Sequence, residues 1–162
     1  MKVEQLMKRE VKVCSAADSL NRAAQLMWEA DCGCVPVISS NGDGALVGIV
    51  TDRDIAIAAY TQGKPLAEIP VSVAMAKKVI ACHASDGLRH AEALMRQNRV
   101  RRMPVLDQNH RVAGILSLND IALEAQREKA GGRPQEVTAD DVAETIAAVC
   151  EPRGGREMIV AA

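Results

Sequence analysis

A hydroxyl side chain followed three residues later by a carboxylate occurs at two related places, as Thr51 with Asp54 and as Ser117 with Asp120. Each pair follows a short apolar run and precedes a helical pattern, so each is expected at a helix start. A single pair of this kind is explained most simply as a capping box, in which the two side chains bond the first backbone N–H groups. Those N–H groups and the helix dipole also favour a nearby phosphate, so the duplicated pair predicts two candidate anion sites.

Cysteine offers a second candidate chemistry. Cys32 and Cys34 flank one glycine, and three further cysteines stand apart from them in the sequence. A structural zinc site needs four ligands, and the first half supplies this one close pair and no histidine. We therefore expect buried or half-buried free thiols. Oxidation of Cys32 and Cys34 that changes the oligomeric state is a third, less favoured hypothesis for function.

No arrangement typical of catalysis is visible in the sequence. His83, His90 and His110 all lie in the second half, and none has a nucleophile and an acid at a recognisable spacing. The sequence therefore predicts a protein that is not an enzyme and that carries no resident cofactor or metal.

Composition excludes two further classes of partner. The net charge is -1, and the chain contains one Trp, one Tyr and no Phe, whereas nucleic-acid surfaces are usually basic and often carry aromatic rings. The first residues carry charges where an export signal would be apolar, and no later stretch approaches the roughly 18 apolar residues of a membrane span. We expect a cytoplasmic protein, with a core of aliphatic side chains, that binds neither nucleic acid nor membrane.

The chain contains an internal repeat. At an offset of 68 residues its first half matches its second half from Met7 to Val37, and the offset then falls to 66 because the first half has a longer loop. The main correspondences are Met7 with Met75, Cys14 with Cys82, Asp18 with Asp86, Pro36 with Pro104, Gly48 with Gly114, Thr51 with Ser117 and Asp54 with Asp120.

Each unit predicts the same α+β order of strand, helix, strand, strand, helix. The first strands are expected near residues 11–14 and 79–82, followed by helices opened by Asp18 and Asp86. The predicted division is repeat 1 at 1–62, a linker at 63–74, repeat 2 at 75–129, and a linker, helix and tail at 130–162. The last helix begins after Thr138 with Val142, Ile146 and Val149 on one side, and the tail from Pro152 is expected to be mobile.

Two motifs give the repeat a family resemblance. Val35-Pro36-Val37 with the segment from Gly48 to Ile55, and Met103-Pro104-Val105 with the segment from Gly114 to Ile121, each resemble the signature of the CBS domain. The two copies span residues 1 to about 128 in the paired arrangement called a Bateman module. The resemblance implies a pseudo-twofold pair with two clefts, which in many members accept AMP, ADP, ATP or S-adenosylmethionine.

The resemblance also implies roles for individual residues. Asp54 and Asp120 would accept hydrogen bonds from the ribose hydroxyls, and Thr51 and Ser117 would lie near the sugar or phosphate. Arg53 would contact a phosphate in the first cleft, and Arg102 is the candidate in the second, where Asn119 replaces Arg53. The base would lie between apolar strand segments that comprise Val13, Cys14, Val35 and Pro36 in one pocket, and Ile80, Cys82, Met103 and Pro104 in the other.

The sequence therefore predicts a regulatory module that senses an adenine nucleotide and acts in trans on another protein, most simply as a homodimer. The alternative is a ligand-free dimerisation or interaction module. In that alternative the helix from Thr138 to Cys150 would dock on a partner or on a sister chain, because its apolar face must be buried somewhere.

Overall fold

The computed structural model describes residues 1–132 and 134–151, so the predicted mobile tail lies outside the described residues. The chain opens with a short 3-10 helix, Val3–Gln5. The first unit comprises β1 (Cys14–Ser15), α1 (Leu20–Glu29), β2 (Cys34–Ile38), β3 (Leu46–Thr51) and α2 (Asp52–Gln62). A 3-10 helix (Leu66–Glu68) and α3 (Val71–Ala74) follow. The second unit comprises β4 (Cys82–His83), α4 (Leu88–Asn98), β5 (Arg102–Leu106), β6 (Val112–Ser117) and α5 (Leu118–Ala130), and α6 (Ala139–Cys150) comes last.

The two units have the same sheet topology. In each, the short first strand runs parallel to the second and the second runs antiparallel to the third, which gives the orders β1-β2-β3 and β4-β5-β6. Corresponding residues hold corresponding registers, with Cys14 opposite Val37 and Cys82 opposite Val105. The predicted α+β fold of two repeats with a C-terminal helix is confirmed.

The first helix of each unit does not begin where the sequence predicts. Its N-cap is Ser19 in α1 and Gly87 in α4, one residue after the predicted Asp18 and Asp86. The Asp18 carboxylate accepts the backbone N–H of Ser15 at 2.8 Å, and Asp86 makes the same bond in the second unit. The prediction was wrong because these aspartates stabilise the turn after the first strand rather than the helix end.

The two cores are aliphatic, as the composition predicts. Leu20, Val35 and Val50 are fully buried in the first unit, and Leu88, Met103 and Leu116 have at most 2% exposure in the second. Burial of each such side chain stabilises the fold by about 1.5–3 kcal/mol. The two aromatic side chains take no part, because Trp28 is 88% exposed and Tyr60 is 86% exposed.

Segments outside the regular units complete these cores. Val3, near the N-terminus, is buried in the core of the second unit and donates its N–H to the carbonyl of Asp86 at 2.9 Å. Ile69 and Val71, within the predicted linker, are buried in the core of the first unit. The stretch predicted as a connection is therefore also a packing element, since it carries apolar side chains that the first unit buries.

The last helix, α6, packs on α4 and α5 of its own chain. Thr145 is fully buried in this contact and Val142 nearly so, whereas Ile146 is 47% exposed. Val142, Ile146 and Val149 were predicted to form one apolar side of this helix, but Ile146 is not buried with Val142. Ion pairs from Arg96 to Glu144 at 2.7 Å and from Arg99 to Glu151 at 2.6 Å border the contact. Val142, on the apolar side of α6 that the interaction-module alternative left without a partner, is thus covered within the chain, whereas Ile146 is not.

One carboxyl group lies beneath α6. Glu92 on α4 is 4% exposed, and the hydroxyl of Thr145 donates to its Oε1. Desolvation raises the pKa of Glu92 above its ordinary value, against the opposite effect of Arg96, and the Asp141 carboxylate adds to the rise. Because the folded state favours the protonated form, this contribution to stability is complete below the unfolded-state pKa and is lost as pH rises through the folded-state pKa.

We predict that E92Q, which cannot lose a proton, raises the melting temperature relative to the unaltered chain by an amount that grows between pH 4 and pH 8. About 1 kcal/mol corresponds to roughly 2–4 °C in a chain of this size, and we expect a gain of this order at pH 8. Thermal unfolding across pH measures it. E144Q, at the exposed edge of the same contact, is the control, and an E92Q offset that is independent of pH would contradict the argument.

Candidate functional site

The start of α5 is a complete capping box. The backbone N–H and the hydroxyl of Ser117 donate to Oδ2 of Asp120 at 2.9 Å and 2.5 Å, and the N–H of Asp120 donates to the Ser117 hydroxyl at 3.3 Å. Thr51 and Asp54 form the same box at α2, with distances of 2.9, 2.7 and 3.2 Å. These bonds use Oδ2 of each aspartate, so the other oxygen, Oδ1, is outside the cap.

A third capping box shows that the motif alone does not define a binding site. Thr138 and Asp141 repeat the geometry at the start of α6, with the Thr138 N–H and hydroxyl 2.8 Å and 2.7 Å from Oδ2 of Asp141. Asp120 differs from Asp141 because it lies in a cleft.

That cleft, hereafter the Asp120 cleft, has walls from both repeats. Residues 8–12 and 30–34 come from the first half of the sequence, and the strand and helix residues around Ser117 come from the second. The lining residues are Lys8, Glu10, Val11, Lys12, Ala30, Asp31, Cys32, Cys34, Arg102, Ile115, Ser117, Asn119 and Asp120.

A crossed pairing of backbones builds this wall. The N–H groups of Lys8 and Ile115 each donate to the other residue's carbonyl at 2.9 Å, so the chain that enters the first repeat pairs with the last strand of the second. Ala76 and Ile49 make the reciprocal pairing at 2.8 Å and 3.0 Å. We call the residues around Lys8 and around Ala76 the entry segments of the two repeats. The entry segment at Lys8 lies beside Asp120 of the other repeat.

Glycine permits the close approach of these segments. A β-carbon added at Gly114 would lie 2.6 Å from Sδ of Met7 and 2.9 Å from the carbonyl oxygen of Lys8. At Gly48, the corresponding distances are 2.7 Å to Sδ of Met75 and 3.2 Å to the carbonyl of Ala76. Because both positions lie inside strands, their requirement for glycine comes from contact with the entry segment.

Two cations flank the start of α5. The ammonium of Lys8 lies 3.7 Å from Oδ1 of Asp120, the oxygen that the cap does not use. Arg102 stands opposite Ser117 in the β5–β6 register and lines the same cleft. The structure therefore brings Arg102, Ser117 and Asp120 together in one cleft, and their binding roles stay predictions. Arg53, the candidate for the first cleft, is exposed on the first turn of α2.

The residues predicted to hold the base lie mainly in the cores. Cys14 and Val35 belong to the core of the first unit, and Cys82 and Met103 to that of the second. Pro36 and Pro104 are buried, and Val13 and Ile80 are half-buried. The apolar lining of the Asp120 cleft comes instead from Val11, Ala30, Cys32, Cys34 and Ile115, and the base-binding role of the predicted set stays a prediction.

The cysteines are free thiols. Burial raises the pKa of Cys34 and of Cys14 to about 11, and that of Cys82 to about 12, so these three are protonated at neutral pH. A protonated thiol is a poor nucleophile and a poor metal ligand. Among residues 1–132 and 134–151 no three side chains of the kinds that bind metals are grouped suitably.

Sequence reasoning missed Lys8, Val11 and Ile115 as site residues. Their shared position becomes apparent only once the entry segment is paired with the opposite repeat, and each repeat read alone gives no indication of that pairing. The alignment of Met7 with Met75, just before the two segments, is the one available clue.

The CBS domain model matches the chain twice, at residues 3–60 and 67–126. The chain belongs to the CBS domain family.

Known members resemble it over most of their length. The CBS domain-containing protein YhcV of Bacillus subtilis is 34% identical over 130 residues, which are 80% of this chain and 89% of that protein. The CBS domain pair of protein MJ0100, solved with 5-methylthioadenosine and S-adenosyl-L-methionine, is 25% identical with a TM-score of 0.68, and the match covers 82% of this chain and 98% of that one. CBSX2 of Arabidopsis thaliana, solved with AMP, is 25% identical with a TM-score of 0.67, over 79% and 98% of the two chains. Within the described part of this CBS pair, no helix has the length and apolar character needed to cross a membrane.

We predict that G114A lowers the melting temperature of this CBS pair by about 2–10 °C. The reason is that Cβ would press on the Lys8 carbonyl, and overpacking costs about 1–3 kcal/mol. Thermal unfolding measures the change. G87A is the comparison, since nothing lies within 4 Å of a β-carbon there and its φ is -71°. It changes the N-cap of α4, where Ala is less favoured than Gly, and should cost about 0.5 kcal/mol. Equal melting temperatures for G114A and G87A would show that the entry segment does not press on β6.

Proposed function

We propose that this CBS pair is a regulatory module of the cytoplasm that binds an adenosine compound, AMP, ADP, ATP or S-adenosylmethionine, and acts in trans on another protein. The observation that carries the proposal is that Asp120 lines a cleft built by both repeats, while its cap uses Oδ2 and leaves Oδ1 outside the cap. A carboxylate oxygen there is suited to accept hydrogen bonds from the two adjacent hydroxyls of a ribose.

The rest of the cleft suits the same ligand. The N-terminus of α5 and the cations of Lys8 and Arg102 favour a phosphate near Ser117. Val11 and Ile115 offer apolar surface to a base. Two solved relatives, MJ0100 and CBSX2, carry adenosine compounds in their crystal structures, which supports the same ligand class here.

The cleft also provides a way to report binding. A ligand that contacts the entry segment at Lys8 and Asp120 together binds best when the two repeats stand in one relative position. Binding therefore shifts the population towards that position, and a second protein that contacts both repeats would respond to the shift. This role requires no chemical step, consistent with the expectation that the module is not catalytic.

We predict that at least one adenosine compound, at a hundredfold excess over its Kd, stabilises the chain by about 2.7 kcal/mol, which raises the melting temperature by roughly 5–10 °C. A thermal-shift panel of AMP, ADP, ATP, GTP, NAD and S-adenosylmethionine measures it. The D54N/D120N double variant should lose the shift, because an amide offers one acceptor oxygen where the carboxylate offers two.

The third capping box supplies the matched control. D141N alters the same kind of cap at α6, remote in sequence from the ribose candidates, so it should cost stability without changing the ligand-induced shift. A full response in D54N/D120N, or a GTP response as large as that of every adenosine compound, would contradict the ribose and base assignments.

We also propose that the chain self-associates through the α1 and α2 side of its first repeat. In the second repeat, Arg96 of α4 pairs with α6, and Glu92 is buried beneath it. The corresponding positions in α1, at the offset of 68 residues, are Trp28 and Ala24. Trp28 is 88% exposed, and Tyr60 on the neighbouring α2 is 86% exposed. The first repeat thus presents Trp28 where Arg96 of the second repeat pairs with α6, and it also presents Tyr60 on α2; we assign this aromatic surface to a second copy.

We predict that W28R/Y60Q, which places the second repeat's own residues at these positions, weakens self-association at least tenfold, because buried Trp and Tyr side chains often contribute 2 kcal/mol or more each to an interface. Light scattering coupled to gel filtration measures it. L123A, which shortens an exposed apolar side chain of α5, is the control. A chain that is monomeric at tens of micromolar, or a variant that stays dimeric, would contradict this assignment.

A further inference from the structure

We infer that Lys8 makes the Asp120 cleft selective for adenosine that carries a 5′-phosphate over the unphosphorylated nucleoside. The inference rests on the proposed function and adds a ligand class and a residue that sets it. It starts from the ion pair between the Lys8 ammonium and Oδ1 of Asp120, 3.7 Å apart.

The backbone of Lys8 is fixed while its side chain is free to move. The backbone N–H and carbonyl of Lys8 are both bonded to Ile115. Ile115 lies two residues before Ser117, the N-cap of α5, so the pairing fixes the Cα of Lys8 near the start of that helix. The side chain is 71% exposed, whereas that of Asp120 is 10% exposed. A flexible four-carbon stem on a fixed backbone can follow a charge that arrives in the cleft.

Binding of a ribose would change the partner of Lys8. Hydroxyls that donate to Oδ1 of Asp120 satisfy that oxygen with neutral groups and occupy the space beside it. The ammonium then lies next to the ligand, where a 5′-phosphate offers a stronger charge-assisted bond than the aspartate it leaves. An unphosphorylated nucleoside offers no such bond, so it gains nothing from Lys8 and must compete with the ion pair.

Other charges in the cleft do not give the same discrimination. Lys12 is exposed beyond the backbone pairing, and Glu10 and Asp31, also exposed, are acids that disfavour a phosphate. Arg102 is opposite Ser117, and its guanidinium lies towards Gly33, where an added β-carbon would come within 3.4 Å of it. Lys8 is the cation that the structure places against the ribose candidate itself.

The pseudo-symmetry of the chain provides an internal comparison. The position equivalent to Lys8 in the other repeat is Ala76, which pairs with Ile49 as Lys8 pairs with Ile115. Asp54 therefore has the same cap and the same backbone neighbour without the ammonium. The two clefts should differ in their response to the phosphate for this reason.

The test isolates one cleft at a time. In a D54N chain, calorimetric titration with adenosine and with AMP measures the Asp120 cleft. We expect AMP to bind at least tenfold more tightly than adenosine. K8M should weaken AMP binding about tenfold, or about 1.4 kcal/mol, and should not weaken adenosine binding, because it also removes the ion pair with which adenosine competes. The advantage of AMP should fall with added salt in D54N and should fall less steeply in D54N/K8M, where Arg102 and Lys12 remain in the cleft.

Two matched variants sharpen the result. K12M removes the same charge from the same cleft and should preserve the preference for AMP. A76K in a D120N chain places a lysine beside Asp54 and should create such a preference there. Equal binding of adenosine and AMP in D54N, an equal loss of both in K8M, or an equal effect of K12M would overturn the role of Lys8 while leaving the proposed function intact. Failure of the unaltered chain to bind any adenosine compound would overturn both.

Discussion

The crossed pairing of the two entry segments is the constraint on which the rest of the molecule depends. Lys8 bonds to Ile115, and Ala76 bonds to Ile49. The third strand of each repeat therefore pairs with the segment that leads into the other repeat. A unit of about 60 residues buries only about 60% of the surface that its unfolded chain exposes, so it is marginally stable alone. The exchange of Val3 and Val71 between units, which completes both cores, explains why the repeats occur as a pair.

Divergence after duplication has given the two halves different surfaces on one scaffold. The internal positions agree, as with Cys14 and Cys82, because each packs in an equivalent core. The outer positions differ, as with Trp28 and Arg96, because α6 covers only the second repeat. The lysine at the Asp120 cleft, with alanine at its counterpart, is a difference of the same kind. Packing constrains the interior residues of a repeat, whereas partners and ligands constrain its surface residues.

Much of this arrangement could be predicted from the sequence, because the information was local or duplicated. The capping boxes, hairpins and helix order follow from short motifs that occur twice. The pairing of Lys8 with Ile115 could not be predicted in the same way, since neither residue carries a local pattern that selects its distant partner. Thr145 was missed for another reason. A polar residue is buried there because Glu92 satisfies it, and apolar periodicity does not register such a pair.

The two oxygens of the Asp120 carboxylate have different roles, which links stability to the proposed binding. Oδ2 holds the start of α5 through Ser117, which fixes the rotamer of the side chain before any ligand arrives. The cap therefore also orders Oδ1, so a ribose bound there as proposed would not have to order it. The wall opposite is the entry segment of the other repeat. In the proposed function, affinity at this carboxylate would therefore depend on how the two repeats stand relative to each other, and that dependence would suit a sensor.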